Sequence, residues 1–224
     1  MSSGAKAGVR APLIFLAALA AGISYVVSWA VPLPDWAAIA WKGAGVGLLA
    51  TWASRQGTSA DHRLLATVLV LGATADMVLE IHFIAGAAIF ALGHVVAIAL
   101  YLRNRRAGVG LKDVALGAAF VAGTVALAFA LASPDWAPPV AFYTLFLAAM
   151  AACAMMSRFA LAAAGALLFV LSDLLIFARM GLIANVGWAD LAVWATYFAG
   201  QALIAWGVAT ALGGPGLDSG AARH

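Results

Sequence analysis

Charge is what this sequence has least of. Asp, Glu, Lys and Arg make up 9% of its 224 residues, against roughly 25% in an ordinary soluble domain. Hydrophobic residues make up 66% and the mean hydropathy is +1.04. So few charges cannot cover a water-facing surface, and the composition predicts an integral membrane protein. Cysteine is nearly absent. The single Cys153 excludes a disulfide framework or a cysteine-built metal site within one chain, and it reads as a small apolar packing residue. Period-two alternation is missing, which argues against an outer-membrane barrel. There is no P-loop, no G-x-S-x-G elbow and no H-E-x-x-H pair. His82 and His94 offer no close ligand spacing, so neither a metal nor a cofactor is expected.

What the chain does have is long apolar runs. A hydrocarbon core takes about 20 helical residues to cross. Read against its breakers, the sequence predicts an all-α membrane bundle of about eight transmembrane helices, roughly 11–31, 36–53, 62–81, 83–102, 113–132, 138–156, 159–179 and 188–212. This makes one membrane domain over 11–212, with cytoplasmic tails at 1–10 and 213–224. The first run is longer than the ~7–15 residues of a signal-peptide core and reads as a retained helix. The break near Glu80 is the tightest.

The basic residues are one-sided. Lys6, Arg10, Arg55, Arg63, Arg103, Arg105, Arg106, Lys112, Arg158 and Arg223 fall on one face if the number of spans is even, while Asp35, Glu80 and Asp135 fall on the other. The positive-inside rule then puts both termini in the cytoplasm, the membrane being read as a bacterial inner membrane. Topology accounts for the basic excess, so no nucleic acid partner is expected. Trp29, Trp36, Trp136 and Trp188 read as an interface belt.

Ionisable residues inside spans are costly and mark functional sites by default. Here they are Lys42, Asp76, Glu80, His94, Asp173 and Arg179, with Asp190, Tyr197 and Gln201 along the eighth span. The third and seventh spans run the same way, and each brings its aspartate ~21 Å into a ~30 Å core. "ATADMVLEI" and "VLSDLLIFA" therefore resemble a parallel repeat. Gly72, Asp76 and Glu80 share one helix face; Phe90, His94, Ala97 and Tyr101 share another; Asp190, Trp194, Tyr197 and Gln201 share a third. Gly43 and Gly47 form a small-xxx-small face for close helix packing. Each polar group also has a structural reading: Lys42 as a counter-ion, Glu80 and Arg179 as snorkelling ends, Tyr197 and Gln201 as interhelical glue.

Five motifs in order, "KG" at 42–43, "ATADMVL" at 73–79, "FALGH" at 90–94, "LLFVLSDLLIF" at 167–177 and "TYFAGQ" at 196–201, resemble the YhhN-type lysoplasmalogenase family over roughly 36–207. The resemblance implies a multispan hydrolase that cleaves the vinyl ether bond of a lysoplasmalogen to a fatty aldehyde and a glycerophospho-base. It implies Asp76, Asp173 and His94 as catalytic residues and Lys42, Ser172, Tyr197 and Gln201 as substrate-binding ones, with a lysophospholipid and membrane lipid as the partners. Ala75 and Ala97 depart from the family pattern, which has glycine and an aromatic there.

Vinyl ether hydrolysis asks for one protonated acid and one anion, as glycoside hydrolysis does around its oxocarbenium-like transition state. On this reading Asp76 is the acid and Asp173 the anion, with the reverse open. His94 relays a proton or activates water, and Lys42 serves as counter-ion or phosphate ligand. A proton-coupled transporter or a lipid-binding membrane protein built on the same buried polar cluster is the alternative.

Overall fold

In hydrocarbon every backbone N–H and C=O must be satisfied within its own segment, so long apolar runs become helices. The computed structural model describes residues 11–183 and 186–213. These form α1 (Pro12–Ser24), a 3-10 turn (Tyr25–Trp29), α2 (Asp35–Ser54), α3 (Ala60–Ile81), α4 (Phe83–Arg103), α5 (Leu111–Leu131), α6 (Ala137–Met155), α7 (Ala160–Arg179) and α8 (Ala189–Gly213). The expected tails, apart from Gly213, lie outside the described residues. Seven of the helices, counting α1 with its 3-10 turn, are long and apolar enough to cross a membrane. The protein is thus a multi-pass membrane bundle. The other helix, α2, carries Asp35 and Lys42, and it is screened by neighbours instead: Gly43, Gly45, Val46, Leu49, Ala50, Trp52 and Ala53 are buried.

The observed ends follow local chemistry. The first run ends earlier than expected, tightening into the 3-10 turn ahead of "PLPD". α3 and α4 are parted by the single extended residue His82, at φ −151° and ψ 99°. Its N–H still bonds to the Val78 carbonyl at 2.7 Å, and its Nδ1 accepts from the Ala85 N–H at 3.2 Å. One histidine therefore ends one helix and caps the next, and the hairpin stays tight.

Apolar side chains gain nothing from leaving lipid for another helix, so the bundle coheres by close packing. α7 and α8 touch backbone to backbone: a Cβ on Gly165 would lie 2.5 Å from the Gly200 carbonyl oxygen. The small-residue face expected at Gly43 and Gly47 lies against Ala73 of α3, closely at Gly43 and loosely at Gly47, and Gly45 adds a close approach on the opposite side. A Cβ on Gly43 would meet Met77 at 2.7 Å, and one on Gly45 would meet Phe198 at 2.8 Å, whereas Gly47 has room. Two residues apart on a helix point nearly opposite ways. This pair fits because α2 is wedged between α3 on one side and α1 with α8 on the other.

The basic end is tied together by its loops. Arg103 pairs with Asp61 at 2.8 Å, and Arg106 with Asp113 at 2.6 Å. Arg158 Nε donates to Asn104 Oδ1 at 3.0 Å, beside an isolated bridge between Arg105 and Ser157. By the positive-inside expectation this end is labelled inner and the opposite end outer. At the outer end all four expected belt tryptophans, Trp29, Trp36, Trp136 and Trp188, are exposed, and Arg179 pairs with Asp190 at 2.6 Å.

Candidate functional site

The polar residues gather in the outer half. At 1.5 Å per residue, Asp76 lies ~8 Å below the outer end of α3 and Asp173 ~9 Å below that of α7. Both are buried. A cavity of about 70 Å³ brings them together, lined also by Lys42, Ser172, Tyr197, Trp194 and Phe90. Five helices from the two ends of the chain, α2, α3 and α4 with α7 and α8, thus contribute to one chamber.

Each carboxylate is held by a tyrosine. The Tyr197 hydroxyl donates to Asp76 Oδ2 at 2.7 Å and accepts from Gln201 Nε2 at 3.2 Å. The Tyr143 hydroxyl donates to Asp173 Oδ2 at 2.7 Å and lies 3.1 Å from His94 Nε2. Buried charges and hydroxyls in an apolar medium need such partners. Between the two arms stand Phe90 and Phe169. Their rings meet edge-on at 5.5 Å, and Phe169 also meets Tyr197 and His94 at 5.1 Å. Edge-to-face contacts of this kind fix ring orientation.

Of the residues singled out in the sequence, Lys42, Asp76, Ser172, Asp173 and Tyr197 reach the chamber wall. His94 and Gln201 are not among the residues lining it; each stands one hydroxyl further back. Ser172 Oγ donates to the Val193 carbonyl at 3.0 Å, tying α7 to α8. Lys42 forms its ion pair with Glu80 at the chamber's outer edge. Arg179 and Asp190 pair with each other and line neither cavity. Tyr143 was missed. Its signal was depth: a lone tyrosine ~9 Å inside α6, level with Asp173 on the next helix.

A second cavity, about 270 Å³, lies between α4 and α6. It runs from Phe83 and Trp136 at the outer end down to Ala91 and Phe146, and its walls are almost wholly apolar. Ile84 and Phe142 on its rim are 62% and 65% exposed, so this groove opens on the lipid-facing side. The groove and the chamber share Leu79, Phe90, Asp173 and Ile176. Asp173 is the polar member of that shared wall, and Tyr143 stands on the groove side of it.

The family model described as the YhhN family matches residues 37–208. That stretch begins in α2 and ends in α8, so it includes every residue of the chamber. No curated protein and no solved structure matches the chain.

Proposed function

The chain belongs to the YhhN family, and from that premise we propose that it hydrolyses the vinyl ether bond of a lysoplasmalogen or a closely related single-chain lipid. The observation that carries the reading is the junction at Asp173. A single-chain alkenyl lipid is apolar on one side of its ether and polar on the other. An apolar groove from the lipid-facing surface meets a charged chamber at one carboxyl. The hydrocarbon chain lies in the groove, the ether between the two acids, and the glycerophospho-head past the chamber's outer edge at Lys42.

The chemistry uses both carboxyls. One gives its proton to the chain-side carbon of the double bond, leaving an oxocarbenium ion at the carbon bonded to oxygen. Water attacks that carbon and gives its proton to the other carboxylate, forming a hemiacetal. The hemiacetal carbon–oxygen bond to glycerol breaks as its hydroxyl proton leaves and the glycerol oxygen gains one. One water is consumed, and a fatty aldehyde and a glycerophospho-base leave. Proton transfer by positioned groups is worth ~10²–10⁴-fold in such a step. The nearby carboxylate offsets the charge of the cation. On this reading the membrane is a bacterial inner membrane with the basic end in the cytoplasm.

The test is aldehyde release by the purified protein in detergent from a 1-alkenyl lysophospholipid. Release that is lost in Asp173→Asn, with the protein still monodisperse, is the expected result. Full activity in that variant contradicts the mechanism. No release, together with proton-linked flux in sealed vesicles, supports a transporter instead.

A further inference from the structure

The two carboxyls are held alike, yet the groups behind them differ. Behind Tyr197 stands Gln201, an amide, which neither gains nor loses a proton in the accessible pH range. Its N–H donates to Tyr197 and Tyr197 donates to Asp76, so this arm directs donors at a carboxylate. Behind Tyr143 stands His94, whose ring nitrogen accepts or donates with equal ease. The chain His94–Tyr143–Asp173 is therefore reversible: each hydroxyl and ring proton can shift by one place in either direction.

Position separates the acids too. Asp173 lies on the wall shared by groove and chamber; Asp76 lines the chamber alone. In a vinyl ether the carbon that takes the proton is on the hydrocarbon side, and the carbon that water attacks is the one bonded to oxygen. The groove-side carboxyl faces the first carbon and the chamber-side carboxyl faces the second.

Resting on the hydrolase reading above, we propose that Asp173 is the acid and Asp76 the base, and that Tyr143, held in turn by buried His94, is a positioning residue that keeps the Asp173 carboxyl aimed at the alkene carbon. This takes the reverse of the assignment favoured from sequence. Asp173 gives its proton to the alkene carbon and recovers one from the hemiacetal hydroxyl when the hemiacetal breaks. Asp76 takes the proton of the attacking water and gives it to the departing glycerol oxygen, so both carboxyls end the turnover as they began it.

The groups that face Asp173 from the packed helices are Lys42 of α2, with Glu80 at its ammonium, Asp76 of α3, Tyr143 of α6 and Tyr197 of α8. α5 also packs on α7, and its titratable residues, Lys112 and Asp113, sit in its first turn at the opposite end. Lys42 and the two acids share the chamber wall, so the arms are told apart by removing one hydroxyl at a time.

The experiment compares the pH profile of kcat/KM for the purified wild type, Tyr143→Phe, His94→Gln and Tyr197→Phe. Phenylalanine keeps the edge-on packing of Tyr143 against Phe177 at 6.2 Å and removes the hydroxyl alone. Tyr143→Phe and His94→Gln each lower kcat ~10–100-fold, less than the ~10²–10⁴-fold of a group that itself transfers the proton, and both move the basic limb of the profile. The double variant is no worse than the weaker single, because the two act as one unit. Tyr197→Phe moves the acidic limb instead. Multiplying effects in the double variant, or a basic limb moved by Tyr197→Phe alone, overturns the proposal. If the wild type releases no aldehyde, the hydrolase reading fails and the arm is tested by itself. The infrared carboxyl band lost in Asp173→Asn should then change its pH midpoint in Tyr143→Phe and His94→Gln. A midpoint unmoved in both overturns the arm.

Discussion

The inner and outer halves of this bundle have the same kind of helix and opposite kinds of interior. The inner half is filled. Trp52 and Trp206 stack at 5.7 Å with their planes 5° apart, and Phe15 leans on both at 4.8 and 4.9 Å. Leu49, Leu65, Leu69, Leu100, Tyr101, Met150 and Phe159 are buried around them. The outer half is hollow, with two adjoining cavities and two buried acids. Unfilled volume forfeits dispersion contacts, and in lipid those contacts are the main cohesion between helices. The filled half supplies the rigidity that lets the hollow half keep its acids in fixed positions.

Four changes would test that contrast. The largest effect is on chemistry alone: Asp76→Asn should lower aldehyde release ~10²–10⁴-fold, as for loss of a general base, with thermal stability in detergent nearly unchanged. A drop in stability as large as that in activity would mean that the carboxyl is chiefly structural. Next comes the packed base. Trp52→Ala should destabilise by ~3–5 kcal/mol, the usual cost of emptying a buried aromatic site, read as a lower unfolding midpoint in detergent. If stability holds, the inner half is not the anchor.

Filling the hollow should do the reverse. Ala91→Phe in the groove should raise KM, more for long alkenyl chains than for short ones, while leaving the unfolding midpoint within about 1 kcal/mol of the wild type. Equal KM values for all chain lengths would remove the groove from the site. The smallest effect belongs to the outer ion pair. Arg179→Ala should cost about 0–1 kcal/mol, because exposed pairs are screened. A larger loss, or a change in activity, would attach α7's end to the site after all.

Much of this was readable along the chain. Helix number and bounds followed from apolar run length, because a segment in hydrocarbon has few alternatives to a helix. The equal depth of Asp76 and Asp173 followed from the rise per residue. Tyr143 escaped because a tyrosine in a span is ordinary and its importance lies in a partner on another helix. That His94 and Gln201 stand behind tyrosine hydroxyls is likewise not legible in the chain. Depth along a helix is set by sequence position, but rotation toward the chamber is set by which neighbour each face packs on. Gly45 escaped for the same reason, since the spacing of small residues does not say on how many sides a helix is wedged.

The sequence by itself therefore determined the membrane, the helices, the end at which basic residues gather and the level at which charge is buried. These depend on the local free energy of moving residues from water to lipid. The tertiary structure decided that two acids share one chamber, that each is held by a tyrosine, and that one of them borders an apolar groove. Those are relations between helices far apart in the chain, and they arise from the packing of side chains across the bundle.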